Sequence, residues 1–217
     1  MNKEKPIVLF KYGGNAMVDN NLKKQVLTNI AGLKDKGFDV VIVHGGGPYI
    51  KQILADVNIQ SEFIDGHRKT TPEAFKYVEM ALKGEVNSEL VTLINTLGHK
   101  AVGLSGRDGQ TVIAEKRLHV KHADGKTLTI DLGQVGNVRK VNTSLLRTLL
   151  DNDFIPVLSC LAADEKGDGF NINGDMFAGH IAGALRADQY VVLTNVDGLL
   201  QDKDKPETII RKLRLSE

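Results

Sequence analysis

The apolar positions of this chain fall into short unbroken runs separated by longer stretches in which they recur every three or four residues. Ile7 to Phe10 is one such run, followed by Lys11-Tyr12 and then Gly13-Gly14. Residues 38–43 form a second, followed by His44-Gly45-Gly46-Gly47-Pro48. Short apolar runs ended by glycines predict parallel strands covered on both faces. Between the two runs, Leu22, Val26, Ile30 and Leu33 sit at helical spacing over 20–36, with Gly37 as the stop. After the second run, Ile50, Ile53, Leu54 and Val57 repeat the helical pattern, with Pro48 suited to the first turn. A strand-helix-strand-helix opening predicts a parallel sheet with right-handed crossovers.

Beyond it, 61–70 reads as a short polar insert. Thr71-Pro72-Glu73 caps a helix that Gly84 is expected to break, and a second helix spans about 86–97. A third strand, 100–104, ends in Ser105-Gly106-Arg107-Asp108-Gly109. From 111 to about 141 short β-branched runs alternate with glycines, which predicts antiparallel hairpins set upon the sheet. A helix over 142–150 and strands over 154–159 and 188–194 follow. A helix opens at Asn171-Ile172-Asn173-Gly174-Asp175, and 208–213 reads as a last short strand. The predicted class is α/β, a three-layer αβα sandwich around a mainly parallel central sheet with an inserted β-hairpin region.

Composition narrows the function classes. The 28 basic and 27 acidic residues leave a net charge of +1, without the basic excess of a nucleic-acid binder. One cysteine, Cys160, excludes an internal disulfide and points to a reducing, cytoplasmic setting. The N-terminus has no apolar leader, and no apolar run approaches the roughly 20 residues of a membrane span. Neither a nucleic acid nor a membrane is expected as a partner.

In open α/β sheets, ligands bind beyond the carboxyl ends of the strands. Lys11 stands there beside Gly13 and Gly14, and a fixed cation next to bare N–H groups suits an oligophosphate. An ordinary strand-end lysine in a glycine turn is the plain alternative. Gly45-Gly46-Gly47 and Gly106 are two further glycine turns expected at the same sheet edge. The Walker A, G-x-G-x-x-G and protein-kinase motifs are absent, so any phosphoryl transfer here would use another scaffold. Arg68, in the polar insert, is either a bidentate carboxylate reader or a solvated charge. Asn171, Asn173 and Asp175 exceed what one N-cap requires, and a carboxylate at this edge suits a lysine ammonium. His119 and His122 have no evident co-ligands and read as surface residues. Cys160 reads as inert core, and Asn142-Thr143-Ser144 as a helix start.

Taken in order, these segments resemble the amino acid kinase family, and within it the acetylglutamate kinases. The resemblance rests on 11–17 (Lys-Tyr-Gly-Gly-Asn-Ala-Met), 43–48, 66–70, 84–87 and 101–106. It continues through 131–136, 171–175 (Asn-Ile-Asn-Gly-Asp) and 193–198. It implies the amino acid kinase fold, with 1–160 as a lobe for the amino-acid substrate and dimerisation and 161–217 as the start of a nucleotide lobe. It implies ATP-dependent phosphorylation of the γ-carboxylate of N-acetyl-L-glutamate in arginine biosynthesis, with Mg²⁺ carried by the nucleotide. Lys11 would contact the transferring phosphoryl group, and Asp175 would orient it. Gly13 and Gly14 would lie against the phosphates. Gly45, Gly46, Arg68 and Asn171 would hold N-acetylglutamate, with Arg68 on its α-carboxylate. Asn195, Val196, Asp197, Gly198, Leu199 and Leu200 would line the nucleotide pocket.

Two departures stand out. The family's second catalytic lysine, in a G-G-M-x-x-K segment near its C-terminus, is not reached, and Gly174 replaces an alanine. The short N-terminus implies a homodimer without arginine feedback. The rival readings are a sibling kinase for aspartate, glutamate, carbamate or a nucleoside monophosphate, and a substrate-binding module without turnover.

Overall fold

The computed structural model describes residues 5–123, 126–194, 198–202 and 204–214. Five parallel strands form the central sheet: β1 (Ile7–Tyr12), β2 (Asp39–His44), β5 (Lys100–Ser105), β8 (Phe154–Ser159) and β11 (Gln189–Leu193). Their order is β11-β1-β2-β8-β5, which puts β1 between β11 and β2. Alternate side chains feed two cores. Val8, Phe10, Val40 and Ile42 pack with helix α1 (Asn20–Ala31) and helix α4 (Ser88–Thr96) on one face. Leu9, Val41 and Val43 pack on the other with α2 (Gly47–Asp56), α3 (Pro72–Glu79), α5 (Ser144–Asp151) and α6 (Gly174–Leu185). This is the expected three-layer sandwich, and strands buried on both faces explain the unbroken apolar runs.

Three local expectations change. The helix over the seventies does not break at Gly84. It runs on from α3 through π-helical Met80–Asn87 into α4. The widened turns keep helical backbone on either side of Gly84 and bring Asn87 into the interior. The insert at 61–70 is a hairpin, β3 (Phe63–Ile64) and β4 (His67–Arg68). Its turn residues Asp65 and Gly66 have φ of 45° and 80°, as an Asp-Gly hairpin turn requires. The stretch 208–213 is not a strand. A 3₁₀ turn, Pro206–Thr208, and a bridge between Leu200 and Ile209 stand there.

The hairpin region is one long ribbon rather than several short ones, β6 (Val112–Ala123) and β7 (Lys126–Val141). With β9 (Leu161–Ala163) and β10 (Gly169–Ile172) it closes into a small barrel over the carboxyl end of the sheet. Among the described residues no helix is long and apolar enough to cross a membrane.

Candidate active site

The carboxyl ends of β11, β1 and β2 are stitched together by their first loop residues. The Gly13 N–H donates to the Leu193 carbonyl at 3.1 Å, and the Gly45 N–H to the Tyr12 carbonyl at 3.2 Å. The two glycine turns then touch. A Cβ on Gly14 would sit 2.8 Å from the Gly47 nitrogen and 3.1 Å from the Gly46 Cα, so no larger residue fits. No acceptor among the described residues takes the N–H of Gly14, Gly46 or Gly47. Gly47 opens α2, so these donors add to the positive end of a helix dipole. Those of Gly14 and Gly47 border a cleft of about 200 Å³ lined by Lys11, Gly13, Gly14, Ala16, Gly47, Pro48 and Thr194.

Lys11 reaches this cleft from β1 and pairs with Asp175, Nζ to Oδ1 3.0 Å. Asp175 lies in the first turn of α6, whose N-cap is Asn173. The Asn173 amide oxygen accepts from the N–H groups of Asp175 and Met176 at 3.0 and 3.1 Å. Gly174 leaves the Lys11 stem free passage, with Cε 3.7 Å from where a Cβ would stand. Cys160 lies beneath, and burial pushes its thiol up to about 11, so it is inert as expected.

The floor under the second glycine turn is a buried polar pair. His44 Nδ1 donates to the Gly45 carbonyl at 2.9 Å, and its Nε2 accepts from Asn87 Nδ2 at 2.9 Å. Asn87 also donates to the Val157 carbonyl. Burial lowers the His44 pKa to about 4, so the ring stays neutral and keeps this tautomer. Gly103 admits the pair, since a Cβ there would stand 2.0 Å from the Asn87 oxygen. Gly106 does not join the cleft. It ends β5, the far edge strand, and packs on β9, where a Cβ would lie 2.7 Å from the Leu161 carbonyl.

Arg68 is buried, at 9% exposure, rather than solvated. Its guanidinium donates to Ser61 Oγ and to the Gly47 carbonyl at 3.4 Å, and stacks 4.4 Å from the Phe63 ring centroid. No carboxylate among the described residues pairs with it. Two residues on, Thr70 anchors the hairpin to β7. Its N–H donates to Leu132 and its carbonyl accepts from Gln134 at 2.6 Å. The adjoining residues of β7 hold Asn171, which pairs with Val135. Asn171 is therefore a strand residue, not part of the helix cap, and one bulged segment of β7 holds both its strand and the end of the hairpin that carries Arg68.

His119 is half-buried. Its Nε2 meets Asp65 at 2.7 Å and its ring tilts toward His67 at 6.2 Å, tying the hairpin tip to β6. The His122 side chain lies outside the described set. So do Asn195, Val196 and Asp197. Leu199 and Leu200 pair with the 208–210 segment, Gly198 faces the Ile209 side chain, and none of the three is in the lining of the Lys11 cleft. Among the described residues no three His, Cys, Asp or Glu side chains gather as a metal cage.

The profile of the amino acid kinase family matches residues 6–217. The chain is 43% identical to the acetylglutamate kinase of Methanocaldococcus jannaschii over 212 residues, covering 97% of this chain and 71% of that protein. It is 46% identical to the acetylglutamate kinase of Solidesulfovibrio magneticus, covering 97% and 70%. The chain belongs to the amino acid kinase family. Among solved structures it resembles smu.665 from Streptococcus mutans, with a TM-score of 0.76 and 30% identity over 90% of this chain and 75% of that one.

Proposed function

We propose that this amino acid kinase transfers the γ-phosphoryl group of ATP to the γ-carboxylate of N-acetyl-L-glutamate, forming N-acetyl-L-glutamyl 5-phosphate in arginine biosynthesis. The identity of 43% to an acetylglutamate kinase over 97% of the chain carries this reading. The geometry supports it. The acceptor carboxylate, with a pKa near ~4.3, is ionised at neutral pH, so the reaction needs no general base. Positioning and cations placed where charge develops suffice.

Lys11 neutralises charge on the transferring phosphoryl group, and Asp175 holds the ammonium in place. The N–H groups of Gly14, Gly46 and Gly47 cradle oxygens at the junction of donor and acceptor. Gly13 and Gly14 let the phosphates approach the backbone. Arg68 takes the α-carboxylate, with Asn171 beside it and Gly45 and Gly46 beneath. The segment 195–200 serves the nucleotide. Mg²⁺ carried by the nucleotide would supply charge neutralisation on its phosphates. Residues 1–160 form the acceptor lobe and 161–217 begin the nucleotide lobe, in a homodimer of this chain.

The test is ADP release from Mg-ATP by this chain with N-acetyl-L-glutamate, L-glutamate, L-aspartate or carbamate in parallel. Release with N-acetyl-L-glutamate alone is expected. Release with another acceptor instead overturns the acceptor, and release with none overturns turnover by this chain.

A further inference from the structure

Beneath the turn Gly14–Met17, which walls the cleft, three helices send polar side chains to one point. Lys23 of α1 is 2% exposed. Its ammonium donates to Glu89 Oε1 of α4 at 2.6 Å and to Tyr49 Oη of α2 at 3.2 Å. Because the Tyr49 oxygen accepts from Lys23, its own hydrogen is directed elsewhere, and it donates to the Met17 carbonyl at 3.2 Å. Beside it the Tyr12 hydroxyl donates to the Ala16 carbonyl at 3.1 Å. Burial pulls the Lys23 pKa down, but its bonds to Glu89 and Tyr49 outweigh that, so it stays a cation. Burial, then Tyr49 and Glu89, push Tyr12 up to about 12, so it remains a donor.

Donation therefore runs one way, from Lys23 to Tyr49 to the backbone of the turn, with Glu89 fixing the lysine. Two carbonyl oxygens are drawn toward the helices. Turned into the cleft, either would set the negative end of a peptide dipole against a phosphate. Lys23 is buried and Glu89 half-exposed, and such an ion pair is a poor source of stability, since apolar residues of like size often do as well. What apolar residues cannot do is aim a hydroxyl.

We propose that Lys23, acting through Tyr49, is a positioning residue that holds the Gly14–Met17 turn in the shape that accepts the phosphates of the nucleotide. The proposal rests on the nucleotide half of the kinase reading and not on the identity of the acceptor.

Three variants of the full chain separate it from a packing role: Tyr49→Phe, the apolar pair Lys23→Met with Glu89→Leu, and all three changes together. Titration calorimetry with Mg-ATP and with N-acetyl-L-glutamate is read beside thermal melting. The apolar pair is expected to melt at or above the temperature of the unaltered chain, yet to bind Mg-ATP about tenfold more weakly, the loss of one directed hydrogen bond. Tyr49→Phe loses the same factor, and the triple variant loses no more than either, because all act in one chain of donors. N-acetyl-L-glutamate affinity stays within about twofold, since Lys23 and the Tyr49 hydroxyl bond to none of Gly45, Gly46, Arg68 and Asn171. Unchanged Mg-ATP affinity in the folded apolar pair overturns the proposal, as does a melting temperature that falls in step with affinity. Failure of the unaltered chain to bind N-acetyl-L-glutamate overturns the acceptor alone, whereas failure to bind Mg-ATP overturns the nucleotide reading and this proposal together.

Discussion

Lys11 is held by one carboxylate, Asp175, which is itself largely exposed, so the pair contributes little to stability and much to aim. Lys11→Met is expected to keep the fold and lower ADP release by roughly 10²–10³, as for removal of other groups that stabilise transition-state charge. Gly174 is the reverse case. Its backbone is not in the left-handed region, and nothing lies closer than 3.7 Å to a Cβ. Gly174→Ala is expected to raise unfolding free energy by about 0.5–1 kcal/mol in urea titrations. His44 gives a pH signature. Held neutral in the fold with a pKa of about 4 against 6.5, it takes up a proton less readily than in the unfolded chain. Its contribution is complete above 6.5 and is lost as pH falls toward 4. Unfolding free energy is expected to drop by about 2 kcal/mol from about pH 7.5 to about pH 5, a slope absent in a folded His44→Gln variant. At this scale the positions of Lys11 and the paired glycines were legible because each sits where a strand run meets a turn, and that of Asp175 because it opens a helix. The burial of Arg68 and Lys23 was not, since no local pattern says that a charged residue faces inward.

At the scale of elements, two devices shape the site, and both depend on glycine. Gly133 has φ of +76°, and a Cβ on it would stand 2.2 Å from the Thr70 carbonyl. Gly133→Ala is expected to detach the β3–β4 hairpin from β7, weakening N-acetyl-L-glutamate binding at least tenfold in calorimetry while Mg-ATP binding changes less. Gly103 plays the same part for the π-helical segment, whose Asn87 oxygen occupies the space a side chain would need. Strand runs and amphipathic helices were readable from period alone. The hairpin at 61–70 was not, because its strands have two residues each and only Asp65-Gly66 betrays the turn. Gly84 misled because a helix can widen around a glycine as well as end at it.

For the molecule as a whole, ligands for the two sides of the cleft bind only the folded chain. Saturation with N-acetyl-L-glutamate at a hundred times its Kd is therefore expected to add about 2.7 kcal/mol to unfolding free energy, read as a higher melting temperature. No upward shift would mean that Arg68 and Asn171 are not a carboxylate site. The chain by itself determined the class and order of the sheet elements. Buried parallel strands must be apolar on both faces, and their crossover helices must repeat at 3.6 residues. It also determined where backbone comes close to a ligand, because only glycine tolerates the contact between Gly14 and Gly47. Tertiary structure alone decided which glycine turns meet. Strand order places Gly14 against Gly46 and Gly47 and leaves Gly106 two strands beyond β2, packed on the barrel. It alone fastened the hairpin of Arg68 and the strand of Asn171 to one stretch of β7, and set Lys23 under the turn through Tyr49. These pairings join residues far apart in the chain, and local periodicity reports the face a residue takes but not the partner it meets there.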